Sequence, residues 1–286
     1  QAVTSLHTRH PECSIGCPCE LFGKSREGFY SVKKEVIENR LKKEQEIISK
    51  AHEIRAAAPG IGAYKMFLIL KNIFMAEMIG RDRFYILMHR HHLILKPQRR
   101  RHTTNSNHNY RKYSNLIKGF KPNGINQLWV ADITYIDTDT GICYLHLLTD
   151  AYTHEIIGWT LSENLLAENT AASLEQALEA FEKYGLDSLI HHSDRGSQYC
   201  CSRYVSKLLA KNISISMTED GNPRENAVAE RINGILKQEW IYRMKRFKDL
   251  EDAKIRIKEI IEFYNNKRPH MSNGMLTPYQ KRKLCG

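Results

Sequence analysis

Three acidic residues occupy positions where the surrounding sequence predicts a different kind of side chain. Asp132 interrupts the apolar residues 128–135, Asp194 follows a short strand-like run, and Glu230 lies in a stretch of helical periodicity. An ionised carboxylate is costly to bury unless a partner charge or a metal ion compensates it, and carboxylates brought together repel each other. Bound Mg²⁺ removes this conflict, because it prefers carboxylate, water and phosphate oxygens as ligands. The three residues therefore point to phosphodiester chemistry.

Two of these carboxylates belong to predicted strands. Side chains alternate along residues 127–136, so Asp132 shares one face with Val130 and Thr134. The opposite face carries Trp129, Ala131, Ile133 and Tyr135. Asp194 closes a later strand, residues 188–193, and Arg195 and Gly196 begin a loop. We expect Asp132 to be a lone charge on a central strand and the Asp194 side chain to emerge at the edge of the sheet, where scaffolds hold functional groups well.

Glu230 lies on a predicted helix, residues 224–240, that Asn222 can cap and whose first position suits Pro223. Its apolar stripe contains Val228, Ile232 and Ile235, and its polar stripe contains Asn226, Glu230, Asn233 and Lys237. A polar stripe is normally a solvated face. Here it aligns a carboxylate, two amides and a lysine, which suits a metal ligand flanked by groups that meet a nucleic-acid backbone.

The order of elements after residue 126 indicates the fold class. The sequence predicts strands at residues 127–136, 142–149, 155–161, 188–193 and 213–216, and helices at 167–184, 202–211, 224–240 and 249–264. The order βββαβαβα fits an α/β fold of the ribonuclease-H-like class with a mixed sheet.

The first part of the chain has a different pattern, which predicts helices only. Residues 31–58 predict one charged amphipathic helix, and shorter helices follow at 62–70 and 81–91. Three such helices are typical of a helix-turn-helix, whose last helix lies in the major groove. Its basic residues would then contact phosphates: Arg81, Arg83, Arg90, Arg99, Arg100 and Arg101. A small helical bundle with a basic surface explains the same pattern equally well.

The charge distribution supports a nucleic-acid partner. The net charge is +11, and residues 1–124 contain 23 Lys and Arg against 10 Asp and Glu, whereas residues 125–286 contain 20 against 22. The basic charge of residues 1–124, beside the near-neutral residues 125–286, suggests that residues 1–124 bind a polyanion. The alternative is a solvated basic surface. No stretch approaches the roughly 18 apolar residues of a membrane span, so we expect no membrane partner and a cytoplasmic protein.

Cysteine and histidine residues cluster near the N-terminus. The cluster contains His7, His10, Cys13, Cys17 and Cys19, and its spacing fits no common zinc signature. An odd total of seven cysteines argues against a disulfide framework. We therefore expect reduced cysteines, with a structural zinc ion as the alternative.

Four sequence motifs accompany the three carboxylates and make the pattern more specific than the carboxylates alone. They are Trp129-Val130-Ala131-Asp132-Ile133-Thr134-Tyr135, His192-Ser193-Asp194-Arg195-Gly196-Ser197-Gln198-Tyr199, Gly221-Asn222-Pro223 and Tyr264-Asn265-Asn266-Lys267-Arg268-Pro269-His270. With 35 residues between Asp194 and Glu230, the chain resembles the catalytic subunit of transposases of the insertion-sequence-three group, in the retroviral-integrase superfamily. Glu225, where the family usually has Asp, and Arg231-Ile232, where Ser and an aromatic residue are common, depart from that pattern without removing a carboxylate.

The resemblance implies an activity. Asp132, Asp194 and Glu230 would be the catalytic DDE triad, holding two Mg²⁺ ions, with Mn²⁺ as a substitute. The implied enzyme is a metal-dependent polynucleotidyl transferase that cleaves DNA at the ends of an insertion sequence and transfers the strand to a target. Its partners would be double-stranded DNA, further copies of the chain in a synaptic complex, and the product of an upstream reading frame. Its location would be the bacterial cytoplasm, associated with the nucleoid.

The resemblance also implies a domain organisation and DNA contacts. Predicted regions are an N-terminal segment and charged helix at 1–58, a helix-turn-helix-like DNA-binding region at 59–96, a linker at 97–126, an integrase catalytic core at 127–240, and a C-terminal helix and tail at 241–286. Lys237, Asn226 and Arg268 join the arginines above as expected DNA contacts.

Two other functions compete with this one. A ribonuclease-H-like nuclease would cut without joining, and a transposase-derived DNA-binding protein would not catalyse at all. Among rival carboxylates, Asp137 and Asp139 lie in a predicted turn, and Asp150 is the more serious alternative for a supporting role at the site.

Overall fold

The computed structural model describes residues 2–30, 34–95, 110–219 and 223–285. Arg99, Arg100, Arg101 and the predicted capping residue Asn222 lie outside these ranges. The chain divides into two compact units, residues 1–52 and 53–286. Each is described by itself.

The first unit contains short helices that the sequence did not predict. They are α1 (Ala2–Arg9), α2 (Gly16–Leu21) and α3 (Arg26–Tyr30), followed by the long helix α4 (Lys34–Ala57), which continues into the second unit. Val3, Ile15 and Cys19 form a small core against which Phe29 packs. With so few apolar side chains, none of the three short helices has a repeat long enough to reveal its period.

The second unit begins with a helical region in which α4 is followed by α5 (Ala63–Phe74) and α6 (Arg81–Arg90). Both helices start after an extended glycine, Gly62 and Gly80. A short 3₁₀ turn (Met75–Glu77) separates them, and Met66, Leu70, Phe84, Leu87 and Met88 form their buried side. The order of these helices agrees with the prediction, although α5 extends four residues further.

A five-stranded mixed sheet dominates the described part of the second unit. Its strands are β1 (Leu128–Thr138), β2 (Gly141–Asp150), β3 (Ile156–Ser162), β4 (Ile190–Ser193) and β5 (Ser214–Met217), in the order β3-β2-β1-β4-β5. The first three strands are antiparallel, and β1, β4 and β5 are parallel. The predicted α/β, ribonuclease-H-like class is confirmed.

Helices cover the sheet on both faces. They are α7 (Ala167–Phe181), α8 (Ser197–Cys200), α9 (Ser202–Ala210), α10 (Ala227–Leu236), α11 (Leu250–Asn266) and α12 (Pro278–Lys283). Trp129 and Ala131 pack into the core that contains α7 and α9, whereas Leu128 and Val130 pack with Ala229 of α10. The predicted division of β1 into two faces is thereby confirmed, and it explains why a strand covered on both sides is almost continuously apolar.

The predicted helix at residues 224–240 is not uniform. A 3₁₀ turn (Pro223–Asn226) precedes α10, and a π-helical turn (Lys237–Ile241) follows it. The π turn packs against the end of α4: the Trp240 indole donates to the Ala57 carbonyl, and the Gly60 amide donates to the Glu239 carbonyl. A tertiary contact therefore sets the end of the helix, which is why periodicity alone missed it. None of the described helices combines the length and the apolar character that a bilayer crossing requires.

Gly158 tests how closely α7 packs on β3. A Cβ at this position would lie 2.0 Å from the Ser173 carbonyl oxygen, so a backbone rather than a flexible side chain would have to move. We expect Gly158→Ala to lower the free energy of unfolding by about 3 kcal/mol, measured by denaturant titration. Gly80→Ala, where nothing lies within 4 Å of a Cβ, should cost less than about 1 kcal/mol. Equal losses in the two variants would contradict this packing.

Candidate active site

The parallel pairing of β1 and β4 brings Asp132 and Asp194 together. Val130 is aligned with His192, the last paired position before Ser193 ends β4. Two residues further along are Asp132, which is still within β1, and Asp194, which lies just after β4. The Asp194 carboxylate is close enough to Asp132 to raise the pKa of the Asp132 carboxyl group.

The Asp132 carboxylate is held by two hydrogen bonds. Its Oδ1 accepts from the Ile133 amide at 2.9 Å, and its Oδ2 accepts from the Asn233 side-chain amide at 2.6 Å. Asn233 belongs to α10 and is 5% exposed. The Asn233 amide thus holds one oxygen of the Asp132 carboxylate and connects the middle of β1 to α10, the helix that carries Glu230.

Electrostatics show that the three acidic residues converge. Burial, together with smaller contributions from the Asp194 and Glu230 carboxylates, raises the pKa of Asp132 from 3.8 to about 7. Asp194 and Glu230 therefore each lie close enough to Asp132 for their charges to act on it. The structure therefore brings together the three residues that the sequence singled out.

Lys237 belongs to the same cluster. Burial lowers the pKa of its ammonium group, and the opposing influence comes from Asp132, Glu230 and Asp137. This half-buried cation compensates part of the negative charge of Asp132, Glu230 and Asp137.

The polar stripe of α10 faces the strand rather than water at two of its positions. Asn226 is 5% exposed, and its amide donates to the Ala131 carbonyl at 2.9 Å. Asn233 holds Asp132, while Glu230, between them, is exposed. Asn226 is therefore part of the scaffold, and the expectation that its side chain binds the DNA backbone does not fit this burial. Asn233 is a site residue that the sequence reasoning left unassigned, although its position one turn after Glu230 signalled it.

Asp194 is positioned by the turn that follows it. Its Oδ1 accepts from the Gly196 amide at 2.9 Å, and a Cβ on Gly196 would come within 3.0 Å of that oxygen. Tyr199, on α8, is 2% exposed, and burial together with Asp194 and Asp132 raises the pKa of its phenol. Among the described residues no group hydrogen-bonds to its hydroxyl. Tyr199 is therefore an uncharged side chain at the border of the carboxylate cluster.

The donor set fits a hard divalent cation, since it consists of carboxylate oxygens that repel one another when no cation compensates them. In the described residues, however, no group of three or more such side chains is already arranged to hold a metal ion. Asp132 and Asp194 are held by hydrogen bonds, so the exposed Glu230 is the group that would have to turn inward. The same finding covers the His7 to Cys19 cluster, where the cysteines form no disulfide within the described chain.

The rival carboxylate Asp150 has a structural role. It is fully buried; its Oδ1 accepts from the Thr153 amide and hydroxyl, and its Oδ2 accepts from the Asn126 amide. These bonds close the turn between β2 and β3 and occupy both oxygens. Asp139 is exposed beside Arg246 in the turn after β1, as predicted, whereas Asp137 lies within β1 and not in the predicted turn.

Arg268 does not lie on a DNA-facing surface. It is 2% exposed, and its guanidinium contacts both oxygens of Glu239 at 2.7 Å. Lys65 of α5 contacts the same carboxylate at 2.9 Å. Burial alone would raise the pKa of Glu239, but the two cations hold it below its ordinary value. The expected contact of Arg268 with DNA is therefore replaced by its ion pair with Glu239. Together with Lys65, this pair joins α5, the π turn and the C-terminal segment.

The basic residues of α6 remain accessible. Arg81 and Arg90 are exposed and Arg83 is half-buried. Arg81 lies 3.1 Å from Asp82, an exposed pair of little energetic weight. The structure thus leaves these side chains able to meet a ligand on the surface of the helical region.

Comparison with known proteins decides the family. Residues 122–223 and residues 211–278 each match a family described as an integrase core domain. The 31 kDa protein of insertion element IS600 from Shigella sonnei is 36% identical over 266 residues, which cover 91% of this chain and 95% of that protein. The chain belongs to the insertion-sequence-three transposase family of the retroviral-integrase superfamily. The resemblance carried by the four sequence motifs is confirmed.

Other relatives match a little more than half of this chain. The transposase for insertion sequence element IS629 of Shigella sonnei is 34% identical over 158 residues, 55% of this chain and 52% of that protein. The transposase for IS904 of Lactococcus lactis is 35% identical over 166 residues, 57% of this chain and 64% of that protein. A structure of the HTLV-2 integrase catalytic core domain in complex with magnesium has a TM-score of 0.45 and 15% identity, covering 57% of this chain and 99% of that one.

The buried ion pair makes a prediction about Arg268. Arg268→Ala leaves the Glu239 carboxylate buried with one partner fewer, so we expect it to lower the free energy of unfolding by about 3 kcal/mol. The slope of DNA affinity against salt concentration should stay unchanged, whereas losing a phosphate contact would reduce it by about one. Lys254→Ala, which removes an exposed pair with Glu251, is the control and should cost less than about 1 kcal/mol. If Arg268→Ala left the free energy of unfolding unchanged but reduced the salt dependence of DNA affinity, Arg268 would be a DNA contact after all.

The raised pKa of Asp132 makes a prediction about stability and pH. The folded protein holds a proton on Asp132 up to about pH 7, whereas the unfolded chain releases it near 3.8. In EDTA, stability should therefore fall as the pH rises from about 4 to 7. Asp132→Asn removes the titrating group and should stabilise the protein at pH 8 by about 2 kcal/mol, with little effect at pH 4. Thermal unfolding of the variant and the unmodified protein at pH 4 and pH 8 measures the difference. An equal change in stability at the two pH values would contradict the prediction.

Proposed function

We propose that this chain is a DNA transposase that cleaves DNA at the ends of an insertion sequence and transfers the freed strand to a target. The observation that carries the proposal is the proximity of Asp194, just after β4, and Glu230, on α10, to Asp132 inside β1, since each of these two carboxylates raises the cost of charging Asp132. A scaffold gains nothing from such repulsion, whereas a site for divalent cations and a phosphodiester needs those oxygens.

The residues of the site have distinct roles in this proposal. Asp132, Asp194 and Glu230 would hold Mg²⁺, or Mn²⁺ in its place, and a bound cation would activate the nucleophile and stabilise the leaving oxygen. Asn233 keeps Asp132 in one orientation, and the Gly196 amide does the same for Asp194. Lys237 would neutralise charge on the scissile phosphate. Water serves as the nucleophile for cleavage, and the freed 3′-hydroxyl serves for joining.

The rest of the chain would supply recognition and assembly. We assign DNA-end binding to residues 59–96, because α6 presents Arg81, Arg83 and Arg90 at its surface and residues 1–124 carry a net charge of +13. Residues 127–240 would form the catalytic domain, residues 241–286 the C-terminal helix and tail, and residues 97–126 a linker. Further copies of the chain and the product of an upstream reading frame would complete a synaptic complex.

Joining separates this proposal from a simple nuclease, and catalysis separates it from an inactive DNA-binding protein. Incubation of the protein with labelled element ends and Mg²⁺ should yield strand-joined products on a denaturing gel. Glu230→Gln should reduce both cleavage and joining by about 100-fold or more while sparing DNA binding, because it replaces a metal-ligating carboxylate by an amide.

A matched control uses another exposed glutamate. Glu262→Gln makes the same chemical change on the surface of α11, away from the cluster, and should leave both activities as they are in the unmodified protein. Hydrolysis without joined products would favour the nuclease, and unchanged cleavage by Glu230→Gln would remove Glu230 from the site.

A further inference from the structure

A buried carboxylate lies two residues beyond Lys237 and faces away from the carboxylate cluster. Glu239 belongs to the π turn, and its side chain receives Arg268 on both oxygens at 2.7 Å and Lys65 on Oε1 at 2.9 Å. Residues two positions apart in a helix do not share a face. Lys237 is therefore directed at the carboxylate cluster while Glu239 is directed at α5 and the C-terminal segment.

The ammonium group of Lys237 has no bonding partner of its own among the described residues. It makes no hydrogen bond and no ion pair there, and only the charges of Asp132, Glu230 and Asp137 act on it from a longer distance. A lysine side chain is long and flexible, and much rotamer entropy is lost when it is fixed. The main chain of Lys237 therefore decides where the ammonium group can lie.

Hydrogen bonds fix this main chain on both sides. The Lys237 amide donates to the carbonyls of Asn233 and Gly234 on α10. The Lys237 carbonyl accepts from the Tyr242 amide at 2.9 Å, and this bond forms the π turn. Relaxation of the turn to an α-helix would rotate the residues after it, relative to those before it, by one helical position, about 100°. Because π turns are rare and the α-helix is the usual form, tertiary contacts have to hold this one.

Glu239 supplies several of these contacts. Its carbonyl accepts from the Gly60 amide at 2.6 Å, and a Cβ on Gly60 would lie only 2.4 Å from the Glu239 Cα. The neighbouring Trp240 indole donates to the Ala57 carbonyl. These two bonds hold the turn against the end of α4. The Glu239 carboxylate adds the connection to α5 and to the C-terminal segment through its two cations.

The burial of this ion-pair network indicates a role beyond stability. The side chains of Glu239, Arg268 and Lys65 are 14%, 2% and 17% exposed. Desolvation offsets much of the attraction within a buried ion pair, so such a pair often stabilises a fold no better than apolar side chains would. The best-attested use of buried polar groups is to select one register or conformation. Here the conformation that the network can select is the π turn that begins at Lys237.

We propose that Glu239 is a positioning residue for the transferase reaction. Its ion pairs with Lys65 and Arg268 hold the π turn in the form that directs Lys237 at the carboxylate cluster, where the scissile phosphate would bind. The inference rests on the proposed function, in which Lys237 neutralises charge on that phosphate. Because Lys65 lies on α5, the helical region then contributes to the geometry of the active site as well as to DNA binding.

A double-mutant cycle tests whether Glu239 acts through Lys237. Strand joining in a single turnover, with Mg²⁺ and saturating protein on labelled element ends, is measured for Glu239→Gln, Lys237→Met and the double variant. Each rate is divided by the folded fraction, determined by circular dichroism. We expect Lys237→Met to slow joining about 100-fold, Glu239→Gln to slow it about 10-fold, and the double variant to be no slower than Lys237→Met alone.

A milder variant keeps the test valid if Glu239→Gln fails to fold. Lys65→Met removes the more exposed partner and leaves the Arg268 pair in place. It should slow joining about 3-fold when Lys237 is present and have no effect in the Lys237→Met background. The matched control is Glu175→Gln, which breaks an exposed ion pair with Lys207 and should leave the rate unchanged in both backgrounds.

Hydrogen exchange provides a readout without catalysis. The Tyr242 amide makes the bond that forms the π turn, so its exchange rate reports how often the turn opens. Without DNA or metal, Glu239→Gln should speed this exchange by about 10-fold, and Lys65→Met should speed it by less. Glu175→Gln should leave it at the rate of the unmodified protein.

The outcomes distinguish the positioning role from the proposed function. Losses that multiply in the double variants, or an unchanged exchange rate of the Tyr242 amide, overturn the positioning role while joining by the unmodified protein upholds the function. If the unmodified protein does not join strands, the proposed function is refuted. Faster exchange would in that case still support Glu239 as the residue that holds the π turn, and unchanged exchange would overturn this as well.

Discussion

Repulsion among carboxylates brought together by two parallel strands and a helix is the constraint on which the rest of the second unit depends. Asp132 lies within β1, Asp194 follows the neighbouring parallel strand β4, and α10 adds Glu230. Burial would normally discharge such a group by protonation, and the pKa of about 7 for Asp132 records that tendency. The fold keeps the arrangement because Asn233, the Gly196 amide and Lys237 each compensate part of the charge.

Helix α10 and the π turn after it connect this cluster to the helical region of the same unit. Asn226 and Asn233 tie α10 to β1, and two residues after Lys237 the Glu239 carboxylate receives Lys65 from α5 and Arg268 from the C-terminal segment. A π turn costs free energy compared with a continued α-helix and is often found at functional sites. Here it rotates Glu239 and Trp240 towards α4 and α5 while Lys237 still faces the carboxylates.

The sequence predicted the features that local patterns encode. Hydrophobic periods of two and 3.6 residues predicted the alternation in β1 and the order βββαβαβα. Acidic residues that interrupt these periods revealed the three carboxylates. The sequence could not predict where polar groups find partners far along the chain. Arg268 belongs to a motif and is a cation, so it suggested a DNA contact, yet its partner Glu239 is 29 residues away. The short α1, α2, α3 and α8 offer too few residues for any period to show.

The charge asymmetry of the chain follows from the same constraint. A site made of carboxylates repels the polyanion on which it acts, and residues 125–286 contain 20 Lys and Arg against 22 Asp and Glu. Affinity for DNA would therefore have to come from elsewhere, and the +13 of residues 1–124 is consistent with the DNA-end binding that we propose for the front of the chain. Cations bound between the carboxylates would remove the local repulsion at the reacting phosphate alone. In the proposed function, such a division would let basic residues bind the duplex while the acidic cluster would accept a phosphate only with metal ions bound.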